Sequence, residues 1–269
     1  MRRIVRSEAI CLRVQDYHES SKLVTFFTLE RGKVSCLAKG ARRLRSKFGA
    51  ALDLFAQSHI IYYSHETRTL FTLSDAELVH SFSGLALQPE RFLAAEQIAE
   101  FALRVIQPHD PSPQLYRLLL NYLTTLESLP PSLSSSLQPA PYSALVCSFL
   151  LKAASFLGFR PELRRCLICR RPIEGTRPAY FDPGRGGIVC PRCAGDNPRG
   201  TRLDPASLDT LAFLLYTSAS DIASIVPSPA PDPQSPTPLL ELVLGFLGHH
   251  FDPLVLNSFH WHARLERNP

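Results

Sequence analysis

Leu23-Val-Thr-Phe-Phe-Thr-Leu-Glu-Arg-Gly-Lys-Val-Ser-Cys-Leu-Ala38 sets two short runs of apolar and β-branched residues on either side of a charged stretch, Glu30–Lys33. Runs of this length and composition, bounded by turn-like residues, read as strands. Working outward, Ala9–Val14 precedes the pair, and Leu54–Tyr63 and Leu70–Leu73 follow it, with Asp16–Ser21 and Ser64–Thr69 as further breaks. Five short strands within residues 6–80 suit a small barrel, and the OB-fold is the five-stranded barrel most often used on single strands. An SH3-like barrel fits the strand count nearly as well.

From Pro89 onward the period changes. Phe92, Ala95, Ala99, Ala102, Leu103 and Ile106 keep i, i+3, i+4 spacing, as do Leu115, Leu118, Leu119, Tyr122, Leu123 and Leu126. A third such series runs from Leu145 to Leu157 and ends at Gly158, with Pro161 just beyond, a helix-stop pattern. Two more helices are expected at Pro205–Ala223 and Leu239–Phe251. The Pro-rich stretches 130–141 and 227–238 read as surface spacers. The expected fold class is α+β: a five-stranded OB-fold barrel at 1–80, then an all-α domain in two parts, 81–160 and 201–269, with a four-cysteine zinc module inserted at 161–200.

That module is read from spacing. Cys166-Leu-Ile-Cys169 and Cys190-Pro-Arg-Cys193 are separated by 20 residues. Two residues between cysteines let both thiolates of a pair face one tetrahedral ion, and the linker returns the chain as a hairpin to the second pair. Tyr180–Gly187 supplies the turn chemistry, and its glycines lack phosphate-loop spacing. Four thiolates leave no open position on Zn²⁺, so one structural zinc is expected. A redox pair or an iron–sulfur site is the alternative, although a thioredoxin-like CxxC needs a βαβ setting that this chain lacks. Cys11, Cys36 and Cys147 sit in apolar contexts and read as core thiols in a reducing compartment.

Charge is concentrated at the front of the chain. The net charge is +5, and residues 1–80 hold 13 Lys or Arg against 8 Asp or Glu, so the whole excess lies there. Arg31, Lys33, Lys39, Arg42, Arg43, Arg45 and Lys47 fall within 17 residues that contain no acid. Cations placed on phosphates release condensed counterions, so this run is the candidate nucleic-acid surface. Phe48, Phe55, Tyr62 and Tyr63 lie nearby, where one or two could stack on bases, but strand alternation turns some of them inward and core packing is the expectation for each singly. Residues 160–202 carry ten arginines against four acids. They form either a second phosphate surface or the solvation of a small module. No apolar run approaches bilayer length, so a soluble, non-exported, cytoplasmic chain is expected.

In context, Leu23 to Lys47 closely resembles the N-terminal domain of the RecO family of recombination mediators. The likeness continues through Phe92-Leu-Ala-Ala-Glu-Gln-Ile-Ala-Glu100, Gly158-Phe-Arg-Pro-Glu-Leu-Arg-Arg-Cys166 and Gly186-Gly-Ile-Val-Cys190. Two departures stand out: Leu54, where members commonly have proline before the phenylalanine, and the Pro-rich insertion at 227–238. The resemblance implies an OB-fold followed by a helical domain interrupted by a zinc module. It further implies single-stranded DNA binding, with duplex DNA as a second ligand, and annealing of complementary strands. As partners it implies RecR, the acidic C-terminal tail of single-strand-binding protein and, indirectly, RecA in the nucleoid. Lys39–Lys47 matches the family's DNA-binding loop and the four cysteines its metal ligands. Arg104 and Arg117 are candidates for the tail-binding site on charge and position alone.

Two other classes compete. A zinc-ribbon regulator would read duplex sequence. A zinc hydrolase would need a second site, for which His249, His250, His260 and His262 are the available ligands, although packed or surface histidines are the ordinary reading. HExxH, GxSxG, P-loop and dinucleotide patterns are all missing, which argues against the common enzyme classes.

Overall fold

A computed structural model describes residues 2–65, 68–130, 140–173, 178–196, 198–225, 239–251 and 254–259. Most of both Pro-rich stretches, together with His260 and His262, lies outside the described residues. The chain forms two compact units, Met1–Ser128 and Leu129–Pro269. The change of period near residue 80 marks a change of secondary structure, but tertiary contact carries the first unit on to Ser128.

The first unit is built on five strands: β1 (Arg2–Tyr17), β2 (Ser21–Thr28), β3 (Gly32–Ala38), β4 (Gln57–His65) and β5 (Leu70–His80). They pair in the cyclic order β1-β2-β3-β5-β4, and β4 returns to β1. All pairings are antiparallel except β3 with β5, where Ser35, Cys36 and Leu37 lie beside Leu70, Phe71 and Thr72. Period-two alternation fills the interior: Val24 and Phe26 of β2, Val34, Cys36 and Ala38 of β3, Ile60 and Tyr62 of β4, and Phe71 and Leu73 of β5 are all buried in one cluster.

β1 and β5 run longer than their apolar cores. Arg2, Arg3, Arg6 and Glu8 interrupt the hydrophobic signal, yet their backbones pair residue by residue with His65 to His59 of β4. Within β1 the register jumps between Cys11 and Arg13, so Leu12 is an extra residue and Ala9–Leu12 is buried without alternation. The Cys11 amide donates to the Ala56 carbonyl at 3.0 Å, and its carbonyl accepts from Phe55 N–H at 2.8 Å. Phe55 holds φ +70, a left-handed conformation rare for a bulky side chain. The residue before it is Leu54.

Helices α1 (Pro89–Val105) and α2 (Pro113–Ser128) cover the outer face. Phe27, which faces away from the interior cluster, meets Tyr116 of α2 edge-on at 5.4 Å, and Phe55 meets Phe92 of α1 at 5.6 Å. Glu8 ties the layers together by accepting from Gln57 Nε2 at 2.6 Å and from the Tyr116 hydroxyl at 3.1 Å. Burial, reinforced by that carboxylate, pushes the Tyr116 phenol well above its ordinary range.

In the second unit, α3 (Ala140–Phe156) contacts α5 (Pro205–Tyr216), α6 (Ala219–Ile225) and α7 (Leu239–His250). α3 stops as its sequence requires, with Gly158 at φ +93 and Phe159 N–H returning to Ala154 O at 2.9 Å. The single helix expected over Pro205–Ala223 is corrected to two. Thr217 is extended, and the Ser218 hydroxyl accepts from Asp221 N–H at 3.2 Å and starts a new helix. Between α3 and α5 lies a three-stranded sheet of β6 (Ala179–Asp182), β7 (Gly187–Val189) and β8 (Thr201–Leu203), in the order β7-β6-β8, with the one-turn α4 (Pro191–Ala194). Phe181 of β6 meets Phe246 of α7 edge-on at 5.9 Å.

Gly32 opens β3 where no side chain fits. It holds φ +63, and a Cβ there would lie 2.3 Å from the Asp110 carbonyl oxygen and 2.5 Å from that of Gln107. Gly32→Ala should therefore lower stability by about 1–3 kcal/mol, seen as a reduced midpoint in thermal unfolding.

Candidate nucleic-acid surface and metal centre

The basic run is one stretch in sequence and two places in the fold. β3 separates them by about 20 Å, its seven residues rising about 3.3 Å each. At its start, the β2–β3 turn is closed by Thr28, whose hydroxyl donates to Gly32 O at 2.9 Å and accepts from Arg31 N–H at 3.2 Å. Arg31 O accepts from His109 N–H, and Lys33 N–H donates to Gln107 O, so this turn is laced to the α1–α2 connection. The Lys33 ammonium donates to Leu103 O at 3.0 Å. Burial, helped by the nearby Arg104 guanidinium, holds its pKa below the usual lysine range. Lys33 thus anchors α1 to the sheet, and its head is not presented outward with the rest. Arg104 stands beside it, paired with Glu100 at 3.8 Å, while Arg117 is exposed on α2.

At the far end, Lys39–Lys47 leaves the sheet as a string of tight turns, with Arg43 N–H donating to Gly40 O and Ser46 N–H to Arg43 O. Arg42 is engaged structurally. Its backbone N–H donates to Ser20 O, its guanidinium donates to His18 O at 3.0 Å, and its Nε lies 3.4 Å from Asp16. These contacts clamp the β1–β2 turn, where His18 holds φ +52. The Lys47 ammonium donates to Ser74 O and lies 5.4 Å over the Phe48 ring. Lys39, Arg43 and Arg45 are exposed and have no carboxylate partner among the described residues, and Leu44 between the two arginines is fully exposed. Of the four nearby aromatics, Phe48, Phe55 and Tyr62 are buried and only Tyr63 is partly exposed.

The four cysteines of the second unit converge. Their sulfurs all lie within 4.8 Å of one another, and Cys169 Sγ is 3.9 Å from Cys190 Sγ. A tetrahedral ion with metal–sulfur bonds of about 2.3 Å sets its sulfurs about 3.8 Å apart, so the group fits one metal ion. Each knuckle is shaped by backbone bonds: Arg170, at φ +62, donates to Cys166 O, and Cys193 and Ala194 both donate to Cys190 O. The pairs are joined across the β6–β7 hairpin, since Leu167 N–H donates to Ile188 O and Cys190 N–H points at Cys166 Sγ at 3.4 Å. Burial opposes ionisation of Cys166, yet the amides of Cys190, Cys169 and Ile168 and the Cys169 thiol aim at its sulfur and bring it down to about 6. Cys193 is pushed up to about 12, chiefly by its hydrogen bond with the Cys190 sulfur and then by burial.

The remaining thiols, Cys11, Cys36 and Cys147, are buried, and burial raises all three well above the ordinary range. His250 is packed between Phe159 at 4.9 Å and Phe246 at 4.7 Å, and the four cysteines are the only metal-holding group among the described residues. The ordinary reading of the histidines therefore fits His250. Among the described residues no helix is long and apolar enough to cross a membrane.

Against known proteins, residues 1–82 match the family described as Recombination protein O N terminal, and residues 86–253 match Recombination protein O C terminal. The chain is 34% identical to a protein named DNA repair protein RecO from Anaeromyxobacter sp. (strain K), over 91% of each chain. It is 31% identical to one of the same name from Desulfitobacterium hafniense (strain DSM 10664 / DCB-2), over 79% of this chain and 74% of the relative. A third of that name, from Symbiobacterium thermophilum, is 34% identical over 77% of this chain and 78% of its own.

The state of the thiols sets a pH test. A metal takes thiolates, so ion uptake at pH 7 should release at least the Cys193 proton, and affinity should rise with pH above about 6. Titration calorimetry in two buffers of different ionisation enthalpy measures the proton count. No proton released would contradict the assignment of these sulfurs as ligands.

Proposed function

Because the chain belongs to the recombination protein O family, we propose that it is a DNA repair and recombination mediator that binds single-stranded DNA and anneals complementary strands. On this reading it acts in the cytoplasm at the nucleoid with RecR and the tail of single-strand-binding protein to promote RecA loading. It also binds duplex DNA, and none of these roles requires a catalytic residue. The observation that carries the DNA-binding part is the loop Lys39–Lys47, where three exposed cations without carboxylate partners among the described residues surround a fully exposed Leu44.

The mechanism is electrostatic. Two complementary strands repel through their phosphates, and a basic surface that holds them lowers this cost and raises their local concentration. Lys39, Arg43 and Arg45 meet phosphates, Leu44 offers an apolar contact to a base, and Arg42 and Lys47 fix the loop while adding charge. Arg31 and Lys33, at the other end of β3, contribute to the field and less to contact. Arg104 and Arg117 remain the proposed contacts for an acidic tail. The cyclic strand order and the parallel β3–β5 pairing support the OB-fold reading of the first 80 residues over the SH3-like one. We assign zinc to the four cysteines, where it supplies structural cross-linking only, bracing residues 161–200 among the helices of the second unit.

Annealing and strand binding should weaken together as salt rises. Arg43→Ala with Arg45→Ala should lower both and flatten the log–log salt slope by roughly 1.4, about 0.7 for each single-strand phosphate that is no longer neutralised. Lys33→Ala should lower the unfolding midpoint more than the affinity. Fluorescence anisotropy of a labelled oligonucleotide across a salt series, an annealing assay and thermal unfolding read these outcomes, and normal annealing by the Arg43/Arg45 variant would remove the loop from the DNA site.

A further inference from the structure

In the second unit, two exposed guanidinium groups lie against one exposed aromatic residue. Tyr216 is the last residue of α5 and is 40% exposed. The helix end that carries it is fixed: Thr217 N–H donates to Phe213 O, and the Lys152 ammonium of α3 donates to Thr217 O. The Arg164 guanidinium lies 4.3 Å from the Tyr216 ring centroid and that of Arg160 lies 5.1 Å away. Both arginines come from the segment joining α3 to Cys166, and both are exposed.

That segment is also held in place. Phe159 N–H returns to Ala154 O, Ile173 N–H donates to Arg164 O, and the amides of Arg164 and Arg165 donate to the Glu162 carboxylate at 2.9 and 3.1 Å. Glu162, the acid between the two arginines in sequence, is thus engaged with backbone. Among the described residues neither guanidinium has a carboxylate within ion-pair distance. Two guanidiniums held within 5.1 Å of one ring centroid share a single aromatic partner and repel each other. An anion shared between them would offset that repulsion. A guanidinium stacked on an aromatic face keeps its N–H edges free, pre-oriented for phosphate oxygens. Tyr216 itself stays 40% exposed beside the guanidiniums, so a base can reach it without regard to sequence.

We infer that Arg160, Arg164 and Tyr216 form a second single-strand site, taking a phosphate on the guanidiniums and its base on the ring. The inference rests on the proposed strand-annealing reading and deepens it: each unit would hold one strand, the loop Lys39–Lys47 on the first and this cluster on the second. Strand binding and annealing would then separate by mutation.

The test uses the full chain and a single-stranded oligonucleotide carrying 5-iododeoxyuridine, photocrosslinked and mapped by peptide mass spectrometry, beside an annealing assay. The wild-type chain should crosslink at Tyr216. Arg160→Gln with Arg164→Gln, and Tyr216→Leu, should hold one oligonucleotide through the loop with affinity within about twofold of wild type, yet anneal roughly tenfold more slowly. Unchanged melting midpoints would show that these variants fold. The Arg43→Ala, Arg45→Ala chain should still crosslink at Tyr216 at low salt. Loop-dependent binding with no crosslink at Tyr216, and normal annealing by the cluster variants, would overturn the second site alone. A wild-type chain that binds no oligonucleotide would overturn the strand-annealing reading as well. Saturable binding of an oligoaspartate peptide, abolished in the cluster variants and unaffected by oligonucleotide, would give the surface to a protein partner and overturn the inference.

Discussion

The parallel pairing of β3 with β5 governs what the first unit can present. Three residue pairs, Ser35–Leu70, Cys36–Phe71 and Leu37–Thr72, complete the cycle of strands. Because β3 takes β5 as its neighbour while β4 returns to β1, the chain cannot turn directly from β3 into β4 as a hairpin. Residues 39–56 must leave the sheet and come back, and the charged half of that excursion is the basic loop. Its base is fastened at several points, by Arg42 to the β1–β2 turn, by Lys47 to Ser74, and by Phe55 and Ala56 to the bulge in β1. The loop is thus fastened at its base, so its backbone has less conformational freedom to lose when the outward cations meet a strand.

The second unit relies on a different constraint. Its inserted sheet is too small to sustain a core of its own, with strands of three or four residues, and leans on α7 through Phe181 and Phe246. Convergence of four sulfurs lets one bound metal ion supply a cross-link that packing alone does not. The same insertion sends the Arg160–Arg164 segment past the end of α5, so the brace and the cationic ring cluster arise from one stretch of chain.

How much of this was legible in sequence depends on how local the cause is. The convergence of the four cysteines was readable outright, because each pair is set by a two-residue spacing and the hairpin between them is short. Strand and helix identities followed from period, since one face of each element is buried. The charged beginning of β1 was not readable, because backbone pairing to β4 holds it and side chains give no sign. The break between α5 and α6 carried a signal, Ser218 three residues before Asp221, that a continuous apolar pattern obscured. Lys33 read as one more cation of the run, and only tertiary structure shows its ammonium capped by Leu103 O on α1. The Tyr216 cluster was invisible, since its ring and its arginines are brought together by folding across the whole inserted module.

The central claim is that a basic loop fastened to the strand cycle binds single-stranded nucleic acid through phosphates and an apolar contact, without reading sequence. The most direct measurement compares, at one salt concentration, the affinities of the zinc-loaded chain for a mixed-sequence single strand and for duplexes of varied sequence. The account predicts tighter binding to the single strand and little dependence on its sequence. Preferential binding to one duplex sequence over every single strand would contradict it, and would point to a zinc-ribbon regulator that reads base edges.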